Sequence, residues 1–450
     1  MNEIASEHPE YREKARGWRR ARHLYQGGWA LKAAAPEYLL RRQKEPLEVY
    51  QERLNQVYYE NYVGSIVDWY LSSLFRREPL YLTSGTDAAG RRFVNSFLEN
   101  CDRKGTPLVE FFRSMARDGM LFGAAHALLD FPRARAVART LADEEANGTN
   151  RAYLVGCAPE QLVNWSLDES GEYEWVTLRR QRALTDGLET SWYWYGREHF
   201  RVFKQVQKGE ADPWPVVLVD EGRHALAELG RVPLLTLEAP EGLRLMERAA
   251  DLQIEHFNKS NALAWALTMG LHASPVVYSD REWNQIVGDS YYIQLGPEDR
   301  FGWTEPEGKV YQIAADNLTR LKDEIYRVCH LLSHAGGPLN GQSGLSKQRD
   351  FLMTQEVLRA LGDWVKGGMK LVLESVTAAR KDGVQVDVAG LDEFDIGDFS
   401  SEVGDVERLL QLGIPSATFQ KQVQKRLALK YLCDLRQDVK DRIAAEIEEG

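Results

Sequence analysis

The sequence predicts an α+β protein that is mainly helical. Long segments repeat apolar residues every three or four positions, which is the period of an amphipathic helix. A block at about 151–236 is instead rich in aromatic and β-branched residues separated by turn residues, which favours strands. Hydrophobic residues make up 44% and charged residues 27% of the chain, the balance of an ordinary globular protein. The 450 residues correspond to about three domains.

The first part of the chain opens on a basic arm, residues 1–46, for which no fold is predicted. Its basic residues are Arg12, Lys14, Arg16, Arg19, Arg20 and Arg22. One continuous helix is expected from Leu47 to about Leu74, stopping before Pro79 because the residue preceding proline disfavours helix. The next elements in order are two helices near Ala88–Cys101 and Pro107–Leu121, a strand at Ala124–Phe131 and an antiparallel meander within 151–236.

The middle of the chain predicts a helix, a small insert and a returning helix. The first helix runs from Glu241 to about Leu271, and half of its stripe is small or polar, which suits packing against identical neighbours. A β-rich insert follows at 274–313. The returning helix is expected to begin at Asp316, a good N-cap residue.

The last part of the chain begins with a glycine-rich loop, HAGGPLNGQSG at 334–344. A long helix is expected at Leu345–Arg380, weakened or bent by Gly362, Gly367 and Gly368, because glycine costs up to about 1 kcal/mol against alanine in a helix. Residues 382–407 hold nine acids and no Lys or Arg, which predicts an acidic linker. Helices are expected to close the chain.

The motifs that carry enzyme chemistry are incomplete. The Gly336–Ser343 loop has the glycine spacing of a P-loop, but Gln342 stands where the phosphate-binding lysine is needed. His330 and His334 are four apart without a second ligand pair for zinc, and the isolated His126 fits a core histidine. There is no nucleophile motif. We therefore expect no catalytic residues, no metal and no cofactor.

The overall composition restricts location and partners. No apolar run reaches the ~18 residues of a transmembrane helix, and the N-terminus lacks the apolar core of a signal peptide. Four scattered cysteines favour reduced thiols in the cytosol. The net charge of −11 argues against a protein that holds DNA tightly by its phosphates, though not against one that DNA slides past.

A few residues have two readings from the sequence alone. Trp283 and Trp303 in the insert are either anchors for a partner or the small core of the insert itself. Lys347 and Arg349, at the start of the long helix, either contact phosphate or are ordinary solvated charges.

Three segments resemble the portal proteins of tailed bacteriophages. YQERLNQVYYENYVGSIVDWYLSSLFRREP (50–79) resembles the early portal helix with its proline ending. The segment 231–279 resembles the entry into the stem, and Ala315 through Arg380 resembles the returning stem helix, the tunnel loop and the tunnel helix. The resemblance covers about 47–380 and depends mainly on the order of these segments.

The resemblance implies a portal-like architecture. Residues 47–240 would be the wing, 241–273 and 314–332 the stem helices, 274–313 the clip, 333–346 the tunnel loop, 347–380 the tunnel helix and 381–450 an acidic linker with a crown-like helical region. The residues expected at the DNA channel are His334, Gly336, Gly337, Asn340, Gly341, Gln342, Lys347 and Arg349. The residues expected to dock the motor and adaptor are Trp283, Tyr291, Arg300, Trp303 and Glu305.

The implied function is structural. Such subunits form a ring, usually of twelve, at one capsid vertex, where double-stranded DNA passes during packaging and ejection. The implied partners are further copies of the chain, the terminase large subunit, the major capsid and scaffold proteins and the tail adaptor, with no membrane. The implied location is the virion, and the host cytoplasm during assembly. Two alternatives stay open: a cytosolic nucleotide-binding enzyme that uses Gly336–Ser343, and another phage head-assembly or adaptor protein.

Overall fold

The structure is a computed structural model. It describes residues 4–85, 87–132, 148, 151–208, 214–224, 226–271, 274–279, 297–304, 308–331, 344–392, 394, 408, 411, 414–431 and 437–449. About 54% of the described residues are helical and 22% are in strands, which confirms the α+β class. The chain forms two compact units: Met1–Arg22, Val67–Glu247 and Gly341–Gly450 in the first, and His23–Ile66 and Arg248–Asn340 in the second.

The helices and strands are numbered in chain order. The helices are α1 (Pro9–Gln26), α2 (Gly28–Tyr38), α3 (Leu47–Asn55), α4 (Tyr62–Leu74), α5 (Ala88–Glu99), α6 (Leu108–Phe122), α7 (Leu245–Leu271), α8 (Gly308–Val328), α9 (Gly344–Arg380), α10 (Ala417–Tyr431) and α11 (Gln437–Glu449). The strands are β1 (Leu80–Ser84), β2 (Ala124–Asp130), β3 (Tyr153–Cys157), β4 (Leu162–Leu167), β5 (Tyr173–Leu184), β6 (Gly187–Gly196), β7 (His199–Lys208), β8 (Val217–Arg223), β9 (Leu234–Glu238), β10 (Ser274–Tyr278), β11 (Arg300–Thr304) and β12 (Gln385–Ala389).

Two antiparallel sheets build the core of the first unit. One has the order β4-β5-β6-β7-β8 and the other the order β3-β2-β9, so the predicted meander is confirmed. Leu128, Cys157 and Leu234 of the smaller sheet pack with Val176, Tyr195 and Val202 of the larger sheet in one buried cluster. Tyr11 of α1 packs with Val163 and Trp192 in a second cluster. The basic residues of the arm therefore lie on the helix α1, which covers part of the larger sheet.

The 37-residue helix α9 confirms the predicted long helix. Two of the three glycines predicted to weaken or bend it are also places of close packing, which the sequence analysis did not predict. A Cβ at Gly362 would overlap the carbonyl oxygen of Leu391, and a Cβ at Gly368 would overlap Leu237, whereas Gly367 has open space around it. Two of the three glycines thus admit a neighbouring segment against the helix, as glycine does wherever backbones approach closely.

The start of the acidic segment is a strand that the sequence analysis missed. β12 pairs antiparallel with β1, with Leu80 opposite Ala389 and Ser84 opposite Gln385. In β12, Val386 is buried while Gln385 and Asp387 are exposed, so the strand has the alternation of a half-buried edge.

The predicted single helix from Leu47 to Leu74 is wrong, because α3 and α4 are separate helices. Asn61 accounts for the break. Its Oδ1 accepts a hydrogen bond from the Gly64 amide at 2.8 Å, which is the N-cap interaction that starts a new helix. Its Nδ2 donates to the Tyr25 carbonyl at 2.8 Å. The apolar spacing continues across 56–61, so periodicity alone did not reveal this cap.

The returning helix α8 begins at Gly308, eight residues before the predicted N-cap, so that start was wrong. Asp316 lies inside the helix. Its Oδ1 accepts from Gln312 Nε2, one turn earlier, at 2.8 Å. Asp316 therefore supports the helix interior through a side-chain pair four residues apart rather than capping its start.

Candidate functional site

An antiparallel arm dominates the second unit. α7 contacts α8 and the turn just after it at these places: Arg248 Nη1 with His330 Nε2 at 3.2 Å, Lys259 Nζ with Asn317 Oδ1 at 2.9 Å and Tyr311 Oη with the Ala266 carbonyl at 3.2 Å. The contact positions rise by 18 residues along α7 while they fall by 19 along the returning chain. The two helices therefore run antiparallel.

The strand pair β10–β11 continues the same arm. Ser274 lies opposite Thr304, and Tyr278 lies opposite Arg300. The numbering of these pairs continues the register of the helix contacts, so the helices and strands form one long hairpin. At 1.5 Å per residue, the 27 residues of α7 span about 40 Å.

Amide side chains of α7 fix the arm to the segment 38–63 of its own unit. Asn261 Nδ2 donates to the Tyr58 carbonyl at 3.0 Å, and its Oδ1 accepts from the Tyr58 amide at 3.1 Å. Asn258 bridges the Tyr38 carbonyl and the Leu40 amide in the same way, at 3.0 and 2.8 Å. Each amide thus satisfies one backbone donor and one backbone acceptor of the segment 38–63.

A third amide completes this set. Gln253 is fully buried; its Nε2 donates to the Glu60 carbonyl at 2.8 Å and its Oε1 accepts from the Val63 amide at 3.4 Å. These three amides therefore bind backbone of the same chain. The sequence signal for this contact is a set of three amide side chains, at intervals of five and three residues, on one predicted helix.

An aromatic and histidine cluster lies beside the amides. The Tyr62 ring meets the His256 ring edge-on at 5.0 Å and lies 6.2 Å from the Tyr326 ring. Lys322 Nζ is 5.7 Å from the centre of the Tyr62 ring. His256 is 2% exposed, and burial lowers its pKa. Burial thus favours the neutral form of the His256 imidazole ring.

The arm also has an exposed apolar patch, formed by Leu267, Val310 and Ile313. Their exposed fractions are 43%, 63% and 61%. Because Tyr311 contacts Ala266, Leu267 lies level with Val310, and Ile313 is on the neighbouring turn of α8.

The predicted site residues fall on this arm and after it. Arg300 is an exposed residue of β11, and Trp303 is in the same strand opposite Pro275. Lys347 and Arg349 lie in the first two turns of α9. The remaining predicted residues lie outside the described residues: Trp283, Tyr291, Glu305, His334, Gly336, Gly337, Asn340, Gly341 and Gln342.

The described side chains that the sequence analysis considered for enzyme chemistry, Cys329 and His126 among them, are buried rather than placed in a reactive site. Cys329 is buried, and burial raises the pKa of its thiol to about 12, so it is a poor nucleophile. His126 is a core histidine as predicted: it is 6% exposed and its Nδ1 lies 2.9 Å from Thr236 Oγ1. Within the described ranges, no group of three or more His, Cys, Asp or Glu side chains is placed to hold a metal. None of the described helices is both long and apolar enough to cross a membrane.

Neither a protein-family model nor a curated protein sequence matches this chain. Three solved structures of gene transfer agent particles are similar to it. The neck of an empty particle, computed with C6 symmetry, gives a TM-score of 0.44 at 12% identity over 81% of this chain and 90% of the other. The virion of the native particle gives 0.40 at 10% identity over 85% and 94%. The neck of the native particle, computed with C12 symmetry, gives 0.37 at 10% identity over 77% and 85%.

Proposed function

We propose that the chain is a portal subunit: a non-enzymatic structural protein that assembles into a ring at a phage capsid vertex and forms the channel for DNA. The observation that carries the proposal is the arm. The α7 helix leads into β10, β11 leads into α8 in the same antiparallel register, and the long helix α9 follows after residue 343. This is the order of stem, clip, stem and tunnel helix that the sequence resemblance implies.

The amides of α7 suit an arm that is held rigidly at its base. Each satisfies two backbone groups that would cost about 1–3 kcal/mol apiece if buried without a partner. The segment that holds Tyr58 and Tyr38 is thereby fixed to α7 over about 12 Å of the helix axis.

The apolar patch on the arm fits contact with the next subunit. Leu267, Val310 and Ile313 are exposed together, and such a cluster is a common mark of an interaction surface. In a ring, each copy meets its neighbour through two different surfaces. We assign this patch to one side of that contact.

The channel and docking roles extend the same proposal. Residues 333–346 contain no Lys, Arg, Asp or Glu, so a loop there would not bind the DNA phosphates electrostatically as DNA slides past. The tip of the arm, with Arg300 and Trp303, would dock the terminase motor and later the tail adaptor. The proposed location is the virion, reached after assembly with capsid and scaffold proteins in the host cytoplasm.

The first test is the mass and shape of the purified protein, by light scattering after size exclusion and by negative-stain images. A ring of twelve 51.3-kDa chains would have a mass of about 0.6 MDa with a central hole. A protein that stays monomeric or dimeric both alone and with its capsid and scaffold proteins contradicts the proposal.

A pair of variants tests the subunit contact. V310D/I313D places two charges in the apolar patch and should leave a folded monomer. S65D/T319D places two charges at exposed polar positions of the same unit and should still form the ring. Rings from both variants would exclude the patch as the contact.

The enzyme alternative has its own measurement. Calorimetric titration with ATP and magnesium should give no heat of binding to the full chain. Micromolar binding that is lost in Gly341→Val would instead support a nucleotide site in the Gly336–Ser343 loop.

A further inference from the structure

The basic arm, which the proposed function leaves without a role, has a defined geometry. Arg12, Arg16 and Arg19 are exposed residues of α1. At 100° per residue they fall within about 60° of one another around the helix, and they span about 10 Å along its axis. We call these three side chains the arginine stripe.

Another face of α1, about 110° around the helix from the arginine stripe, is held against the rest of the first unit. Tyr11 is 5% exposed, and Trp18 Nε1 donates to the Phe122 carbonyl at 3.0 Å. Arg22 makes two hydrogen bonds with the Glu160 carboxylate, at 2.9 and 2.7 Å. The helix is therefore fixed on one side, and the arginine stripe is presented to solvent on another.

The charges of the stripe are largely uncompensated. Among the described residues, neither Arg16 nor Arg19 has a carboxylate partner. Arg12 Nε lies 3.9 Å from Glu7 Oε2, but Arg179 binds the same carboxylate more closely, at 2.7 Å. The whole of α1 has six Lys and Arg residues against two acids, in a chain whose net charge is −11.

We propose that the arginine stripe is a second nucleic-acid contact, which binds the phosphate backbone of double-stranded DNA without reading its sequence. One strand of B-DNA places a phosphate about every 3.4 Å along the axis, so the stripe is long enough to follow about three of them. All three residues are arginine, whose planar guanidinium pairs with phosphate through two hydrogen bonds. No base-reading element accompanies them on α1.

A repeating anion is the partner that this arrangement favours. The three charges form a row along one helix, about 6 and 4.5 Å apart along its axis, and a polymer with regularly repeated negative charges can contact all three. This contact lies on α1, at residues 12–19, and is independent of the channel role proposed for residues 333–346, so either proposal can be correct without the other.

The test is the binding of the full-length protein to a fluorescent duplex of mixed sequence and about 30 base pairs, followed by anisotropy between about 50 and 200 mM salt. We expect the parent chain to bind with a Kd of about 1–100 μM near physiological salt. In R12Q/R16Q/R19Q the slope of log K against log salt should fall in magnitude by about 2.7, as the loss of three phosphate contacts predicts.

The matched control is R91Q/R92Q/R182Q, which removes three exposed arginines from α5 and β5 and changes the net charge equally. It should keep the parental slope, and so should R12K/R16K/R19K, which retains the charge. All variants are compared at the same oligomeric state and after thermal melts have shown that they are folded.

Three results would overturn the proposal. The parent chain fails to bind the duplex at about 50 mM salt, the control loses as much slope as the stripe variant, or the lysine variant loses as much as the glutamine variant. A stripe variant that keeps its DNA affinity but no longer assembles would also overturn it, because the stripe would then be a protein contact.

Discussion

Alanine at two glycines of α9, five residues apart, should change stability in opposite directions. At Gly367 an added Cβ meets nothing within 4 Å. At Gly362 it overlaps the Leu391 carbonyl oxygen and comes within 2.9 Å of the carbonyl carbon. Leu391 has a φ of 55°, an uncommon conformation for a residue with a side chain, so its backbone has little freedom to move away.

The magnitudes follow from two opposing effects. Replacing an interior helix glycine with alanine stabilises by about 0.5–1 kcal/mol, because the unfolded chain loses less entropy. Overpacking costs about 1–3 kcal/mol and applies only to Gly362. Gly367→Ala should therefore stabilise the protein by somewhat under 1 kcal/mol, and Gly362→Ala should destabilise it by about 1–2 kcal/mol.

The assay is thermal unfolding of both variants and the parent chain, followed by circular dichroism at 222 nm. For a unit of this size, 1 kcal/mol corresponds to about 2 °C in Tm. Gly367→Ala should melt slightly above the parent and Gly362→Ala a few degrees below it. If both variants shift Tm in the same direction, the close contact between α9 and the chain after β12 is not as described.

Three further outcomes are expected. Asn261→Ala should destabilise by about 1–3 kcal/mol because both backbone groups of Tyr58 lose their partner, whereas Asn317→Ala should change denaturant midpoints little. The pKa of His126 is lowered to about 4 by burial, so the unfolded state binds more protons and stability should fall as pH drops from about 6.5 to 4; denaturation across this range should show a smaller loss in His126→Gln. Because the pKa of Cys329 is raised to about 12, iodoacetamide at pH 8 should leave this thiol unmodified in the folded protein, as mass spectrometry can check.

The elements that the sequence predicts well are those whose signal is local. The helix at 344–380 shows in the spacing of Leu358, Leu361, Val365 and Met369, all of which are buried, because one face of a helix repeats at 3.6 residues. The meander shows in the aromatic and β-branched runs, because side chains on a strand alternate between faces.

The elements that the sequence does not predict depend on distant partners. Asn261 lies 203 residues from Tyr58, so nothing in the periodicity of α7 indicates that this amide binds that backbone. β12 is a strand because β1, some 300 residues earlier in the chain, pairs with it. The break between α3 and α4 has a local cause, the Asn61 cap, but the apolar spacing on both sides continues in phase and hides it.

The net charge of the whole chain likewise does not indicate how the charges are distributed among its segments. The value of −11 argues against a protein covered by phosphate contacts, yet it averages over a helix with six basic and two acidic residues and a sequence segment, 333–346, with no Lys, Arg, Asp or Glu. A protein that lets DNA slide at one place and holds it at another needs an uncharged segment and a basic segment. The two segments must also be separate from each other. Because phosphate binding grows with each neutralised charge, their separation along the chain allows the two properties to be changed independently by mutation.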